Sequence, residues 1–480
     1  MSAEIDIFRS GKVGCAGLPA DKPLGMQDRT GNRLSLFDLT MIVIGLVIGM
    51  GIFRTASDAA RASLTPGVFF GAWVAGGVIA LCGALTYAEI GSRLPVTGGY
   101  YRVFATAYHP SVAFAVNCII LVSNAASLAG VALIGSEYLV EAVVGAPVGD
   151  LGKSLIAMAS ILLFYVVNLL GLRMSANAQN VLMSVKIGMI LLLILALFLP
   201  GAAPVVPPVA AAPAAGGWSD HVGSFGSALV AVCFTYGGYQ QTINFGGDVR
   251  DPRRNLPRGI FTGILVVIVL YLSVSYAYYR LIGFDELKTS RGIAAIVAGR
   301  AFGETGRLVF SLLLFLAVLA YVNVILLSNP RVMYAMSLDG ILPRSFARQD
   351  GRRGVLTVSL TVYALMSIGI LFFLDTFDKI LGFSIFLDCI GMACSAATLF
   401  ILRRRGVGRS DAGLFSMRLY PLLPVVFISA YVFVAVSIAR DSPRTALTAV
   451  GVLAAFVALY FVTPRRQAPP AAAGPADGHL

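Results

Sequence analysis

Twelve long, predominantly apolar stretches recur along this 480-residue chain, at about 36–62, 66–91, 110–141, 153–172, 175–199, 222–248, 257–282, 306–330, 355–374, 380–402, 418–439 and 445–463. About 20 apolar residues suffice to carry an α-helix across the roughly 30 Å hydrocarbon core of a bilayer. Inside that core each backbone N–H and C=O must be satisfied within the protein, which leaves helices as the natural solution for continuous apolar runs of this length. The spacing therefore predicts an all-α polytopic membrane protein with 12 transmembrane helices, built as one unit and in contact with lipid on all sides. Charged residues make up 12% of the chain, about half of the roughly 25% usual in soluble domains. That excludes an ordinary soluble enzyme, a disordered chain and a nucleic-acid binder.

An even number of spans puts both termini on one side. With the N-terminus inside, most of the 36 Lys and Arg fall on the cytoplasmic side, which is the usual bias and accounts for the net charge of +12. The loop at 280–307, with Arg280, Lys288, Arg291, Arg300 and Arg307, runs against the trend but also carries Asp285, Glu286 and Glu304. The expected localisation is a cell membrane, plasma or inner, multi-pass, with N- and C-termini cytoplasmic. Residues 1–35 form a cytoplasmic arm without the short apolar core of a removable signal peptide. Residues 201–221 form an external Ala/Pro loop, and 464–480 a disordered cytoplasmic tail. The six cysteines (Cys15, Cys82, Cys118, Cys233, Cys389 and Cys394) show no CxxC spacing, and only three histidines are present. No metal site, cofactor or disulfide framework is expected. No cysteine is placed to link an accessory chain covalently.

The sharpest local signal is Gly45-Leu46-Val47-Ile48-Gly49-Met50-Gly51-Ile52-Phe53, in the middle of the first stretch. Glycine costs a helix about 1 kcal/mol relative to alanine. On its own the cluster reads either as a close-packing face of small residues or as an interruption of the helix. The sixth stretch carries a second cluster, Phe234-Thr235-Tyr236-Gly237-Gly238-Tyr239-Gln240-Gln241, again near its middle. Glycine-broken helices at corresponding positions of two halves point to a transport site made of half-helices, and the pair favours interruption. Where the first helix restarts, free N–H groups near Met50, Gly51 and Ile52 would attract an anion. Carbonyls near Val47, Ile48, Phe234 and Thr235 would accept from an ammonium group. Donors for an anion beside acceptors for a cation describe a site for a zwitterion, and an α-amino acid fits best. The candidate substrate-binding set is Val47, Ile48, Gly49, Met50, Gly51, Ile52, Phe234, Thr235, Tyr236, Gly237, Gly238 and Gln240, with Asn124 and Asn323 from other stretches. Asn124, its neighbour Ser123, and Asn323 have two readings, pocket lining and bonding between helices. Phe234 and Tyr236 can either pack or, beside a central site, act as a lid.

Intramembrane charges need a reason. Lys186, in Ser184-Val185-Lys186-Ile187-Gly188, either snorkels to the interface or is a fixed internal cation that exchanges a proton during transport. Glu89 and Asp38 read as capping or interfacial groups more readily than as substrate ligands, Glu137 and Glu141 as external-end residues, and Asp388 as structural or functional.

These motifs resemble the amino acid–polyamine–organocation superfamily, most closely its L-amino-acid transporter-like members. Ile48-Gly49-Met50-Gly51-Ile52-Phe53 is similar to that family's I-G-x-G-I-F, and the resemblance continues through Tyr87-Ala88-Glu89-Ile90 and Leu94 to Tyr101. It recurs from Phe234 to Tyr239, in Asp248-Val249-Arg250-Asp251-Pro252 and Asn255-Leu256-Pro257-Arg258, and from Asn329 to Pro343, covering roughly residues 36–405 in order. The resemblance implies the leucine-transporter fold, a 5+5 inverted repeat of 36–200 and 222–405 with two appended helices in 406–463, and alternating access. It also implies an aromatic gate at Phe234 and a substrate contact at Gln240. By the same resemblance Lys186 occupies the place of a sodium ion and acts in coupling, which disfavours sodium dependence. Three departures stand out. Met50 replaces the usual Ser or Ala, Gly247-Asp248 replaces a Glu-Glu pair, and Gln240, Gln241 and Asn244 enrich the second break in amides, which favours a polar or modified substrate.

The expected function is a secondary active amino-acid permease, either proton-coupled or an exchanger, with the amino acid, protons and the lipid bilayer as its partners. A polyamine or organic-cation carrier of the same fold would want several carboxylates in the cavity, and Asp388 alone is a candidate. A transporter-like amino-acid sensor, or a channel, is the alternative from another class. No nucleophile–base pair or phosphate loop supports an enzyme.

Overall fold

Helices occupy all twelve apolar stretches. The computed structural model describes residues 33–49, 51–144, 148–198, 217–290, 293–350, 353–372, 377–409 and 413–462. Met50, most of the 1–35 arm, the Ala/Pro loop through 216 and the 464–480 tail lie outside the described residues. The chain divides into the units Met1–Arg33 and Leu34–Leu480, and the helices below belong to the second.

In chain order they are α1 (Leu36–Val47), α2 (Gly51–Ala62), α3 (Pro66–Arg93), α4 (Gly99–Ala107), α5 (Pro110–Leu139), α6 (Asp150–Leu169), α7 (Leu172–Leu195), α8 (Trp218–Tyr236), α9 (Pro252–Ile282), α10 (Phe284–Thr289), α11 (Ile293–Leu338), α12 (Thr357–Leu371), α13 (Phe377–Arg404), α14 (Leu422–Asp441) and α15 (Pro443–Val462). Among the described residues, nine helices are long and apolar enough to cross a membrane. Three shorter apolar ones lie at Leu36–Val47, Thr357–Leu371 and Ala446–Val462. The protein is thus all-helical and polytopic.

Local chemistry sets the helix starts. Ser35 caps α1 in a capping box: its hydroxyl accepts from the Asp38 N–H at 3.2 Å, and the Asp38 carboxylate accepts from the Ser35 N–H at 2.9 Å. Thr65 caps α3 by accepting from the Val68 N–H at 3.3 Å. Caps of this kind stabilise a helix by about 1 kcal/mol. Proline opens α3, α5 and α9, where its missing N–H costs nothing.

Three features were not legible as spans. The short α4 packs between α5 and the turn after α8. The loop at 283–305 contains α10 and the first turns of α11. The long α11 bends at Gly303, whose φ of 72° and ψ of −168° are non-helical, so it extends past both ends of the expected 306–330 span.

The packing that positions the site is pairwise. α9 lies against α3 and α1, α2 lies against α8, and α11 lies against α5 and α7. Two backbone bridges tie loops together at the Ser35 end, Leu34 with Val249 and Thr97 with Phe245.

Candidate functional site

Both glycine clusters are points where a helix stops. α1 ends at Val47 and α2 begins at Gly51. The Ile48 N–H still reaches the Ile44 carbonyl at 2.7 Å, while the Gly49 N–H turns back to the Val47 carbonyl at 2.8 Å. α8 ends at Tyr236, and after Gly237 and Gly238 the chain continues as a tight 3-10 turn, Tyr239–Asn244. The two breaks touch, and glycine makes the contact possible. Gly238 sits at φ 109°, and a Cβ there would lie 2.2 Å from the Leu46 carbonyl oxygen. A Cβ on Gly51 would lie 2.8 Å from Cγ2 of Thr235.

Side chains from neighbouring helices pin the broken ends. The Tyr271 hydroxyl of α9 donates to the carbonyls of Val47 at 3.1 Å and Thr235 at 3.4 Å, bridging the two breaks. Lys186 of α7 is fully buried, and its ammonium donates to the Ile48 carbonyl at 2.6 Å. A lysine held this way points at the break and not at the interface, so the snorkelling alternative is not what the structure contains. A cation at the C-terminal end of a half-helix also meets the negative end of its dipole. The four carbonyls expected to wait for an ammonium each already accept at least one protein donor. Val47 O takes Gly49 N–H and Tyr271, Ile48 O takes Lys186, Phe234 O takes Gly237 N–H at 3.1 Å, and Thr235 O takes Tyr271.

A cavity of about 570 Å³ opens beside the breaks. Of the expected site residues, Val47, Gly49, Gly51, Phe234, Thr235, Gly237, Gly238, Gln240 and Asn124 line it. Phe234 projects into it, leaving 39% of its surface exposed. Ile48, Ile52, Tyr236 and Asn323 do not line it. Ile48 and Ile52 are fully buried in the core. Tyr236 packs edge-on to Trp73 and tilted against Tyr271, with ring centroids 5.8 Å and 5.1 Å away. Asn323 faces α6 and α7, accepting from Asn168 and donating to the Ser175 carbonyl and Gln179 at 2.9–3.0 Å. That is the interhelical reading of this residue. Met50 lies outside the described residues.

The cavity also takes in residues outside the candidate substrate-binding set, of which Ser127 and Tyr321 were missed by sequence reasoning. Gln241 donates to Asn124 at 3.5 Å and accepts from Ser328, and Asn124 donates to Asn329 at 2.8 Å, so the amides form a connected chain. Ser127 and the Tyr321 hydroxyl pair at 2.8 Å on the wall. The available signal for Ser127 was its place on one helix three residues after Asn124 and four after Ser123. Asp388 of α13 reaches the wall beside Ile385, Cys389 and Met392.

The lining is directional. Along α2 it runs from Gly51 to Asp58, along α5 from Ser123 to Ile134, and along α8 from Thr235 back to Ser227. All three lead away from the Ser35 end, and Asp58 at the mouth has 52% of its side chain exposed. The opposite end is closed by ion pairs. Arg331 binds Asp248 at 2.7 Å with its guanidinium over the Phe245 ring, and Arg102 binds Asp339 at 2.5 Å. Glu89, fully buried, binds Arg93 at 2.8 Å and Arg403 at 2.6 Å, and accepts from the Met417 N–H at 3.0 Å. Glu89 is thus the centre of a network joining α3, α13 and the segment before α14, more than a cap. Among the described residues, no three His, Cys, Asp or Glu side chains gather where a metal could be held.

Comparison with known proteins gives the same class of molecule. The family described as amino acid permease matches residues 34–471. The serine/threonine exchanger SteT of Bacillus subtilis (strain 168) is 27% identical over 419 residues, 83% of this chain and 89% of that one. The branched-chain amino acid permease BcaP of the same organism is 27% identical over 376 residues, 73% of this chain and 77% of its own. The methylthioribose transporter, also of that organism, is 29% identical over 333 residues, 66% and 69% of the two chains. With a family match running nearly the whole length of a chain made of membrane-spanning helices, this protein belongs to the amino acid permease family, and it is a multi-pass membrane transporter and not an enzyme.

Proposed function

We propose that this permease carries an α-amino acid across the cell membrane by alternating access, without sodium, either coupled to protons or by exchange. The observation that carries the reading is the meeting of two helix breaks at one cavity. Gly51 opens the 12-residue α2 and lines that cavity. The first N–H groups of a helix have no intrahelical acceptor and favour an anion by up to ~2 kcal/mol in a partly buried site. A substrate carboxylate binds there, with Phe234 as the aromatic gate above it and Gln240 and Asn124 as polar contacts. Lys186 supports sodium independence. Half-helix carbonyls are the usual ligands of a coupling sodium, and at Ile48 a fixed ammonium already takes that carbonyl. Lys186 is then the group through which a proton couples to the break. The architecture that goes with this mechanism is two inverted five-span repeats, 36–200 and 222–405, followed by α14 and α15, with both termini in the cytoplasm.

The test is a thermal-shift screen of the purified protein against the twenty amino acids and the common polyamines. A ligand that binds only the folded state stabilises it by about 2.7 kcal/mol at a hundredfold excess over its Kd. Stabilisation by a class of amino acids, followed by its counterflow in sodium-free liposomes, is the expected result. Stabilisation by polyamines alone, or uptake that requires sodium, overturns it.

A further inference from the structure

We infer that Asp388 is the counter-ion for a positively charged substrate side chain, so that the cavity selects cationic amino acids. The inference deepens the amino-acid reading above and rests on it. Asp58 and Asp388 are the carboxylates that line the cavity, and among its lining residues there is no Lys, Arg or His. The two differ in setting. Asp58 stands at the open mouth, half-exposed, with Arg61 3.6 Å away. Asp388 stands deep on the α13 wall beside Ile385, Cys389 and Met392, with Tyr431 and Val434 of α14 also on the lining. Among the described residues it has no hydrogen-bond or ion-pair partner.

Elsewhere the protein satisfies its buried charged groups. Glu89 holds two arginines, and Lys186 holds the Ile48 carbonyl. A carboxylate at membrane depth is expensive, and where it is kept it faces a cavity and meets a partner. The amides do not fill that role: Gln241, Asn124 and Asn329 are bonded to one another, and Gln240 accepts from the Gly238 N–H. The break carbonyls already accept protein donors. The strongest unmet demand in the wall is therefore for a cation at Asp388, while the start of α2 takes the substrate carboxylate. A volume of about 570 Å³ falls within the roughly 300–1,000 Å³ usual for small-ligand pockets and admits a long side chain.

Lysine and norleucine separate the charge from the chain length, since they share a carbon skeleton and differ by the terminal ammonium. Binding of each to the purified protein, by thermal shift and by competition against labelled substrate in liposomes, is expected to favour lysine by about thirtyfold or more. Asp388→Asn is expected to remove that preference, costing lysine at least about tenfold more affinity than it costs serine, and Asp388→Glu to restore part of it. Equal binding of lysine and norleucine by the wild type overturns the inference and leaves the amino-acid reading standing. So does an equal loss of lysine and serine in Asp388→Asn, which would place the α-ammonium at this carboxylate. Failure of every amino acid to bind the folded protein would instead defeat the underlying reading. If Asp388→Asn does not fold, the wild-type lysine–norleucine comparison still decides.

Discussion

The two ends of this permease treat polar groups in opposite ways. Towards the Ser35 end, charges close on one another. Asp248 meets Arg331, Asp339 meets Arg102, and Glu89 meets Arg93 and Arg403. Backbone joins reinforce them, the Leu34 N–H donating to Asp248 O at 2.8 Å and the Gly98 N–H to Asn244 O at 2.9 Å. Towards the Asp58 end, the same helices diverge around a cavity whose wall carries glycines, amides, Phe234 and the carboxylate of Asp388. A polar group satisfied inside the protein holds helices together, and one left facing a cavity is available to a ligand. The boundary between the two regimes is the pair of helix breaks.

The comparison can be broken first at a fully buried charge of the closed end. Glu89→Ala leaves Arg93 and Arg403 without their shared carboxylate and is expected to lower stability by about 3–5 kcal/mol. Thermal unfolding in detergent measures this, and an unchanged midpoint would mean that the closed end is held without the network. At the boundary, Gly238→Ala forces a side chain into a left-handed backbone and against the Leu46 carbonyl. The strain is about 1–3 kcal/mol before the clash is counted, and substrate affinity should fall further than stability does. Lys186→Met keeps the bulk and removes a charge-assisted hydrogen bond of about 1.5–3 kcal/mol. Transport is expected to lose its pH dependence while the protein remains folded, and a wild-type pH profile would remove Lys186 from coupling. The smallest effect belongs to Arg102→Ala. Its ion pair with Asp339 is about one-third exposed on both sides, so the stability cost should be about 0.2–1 kcal/mol, visible mainly as a changed transport rate.

Much of the fold was legible because its causes are local. Ser35, Thr65 and Pro66 mark helix starts, and apolar length marks spans. Gly49, Gly51, Gly237 and Gly238 mark breaks because there the backbone leaves the helix and Gly51 and Gly238 meet the other broken helix closely. The cavity was legible where it touches those breaks. It was not legible at Asn323 and Tyr236, which share residue types and depth with Asn124 and Phe234 yet face other helices. In a soluble helix the polar face points outward and fixes rotation. In a membrane, lipid is as apolar as the core, so periodicity does not say which way a side chain points.

The sequence by itself therefore determined that the chain is all-helical and polytopic, where two of its apolar helices stop, and that Lys186 and Asp388 require a reason. Only the tertiary structure decided what those reasons are. Lys186 reaches Ile48 across 138 positions of chain, and Asp388 arrives on the wall of a cavity opened by residues of α1, α2 and α8. Such contacts depend on helix rotation and packing, which set the meeting of distant groups and which no local pattern encodes.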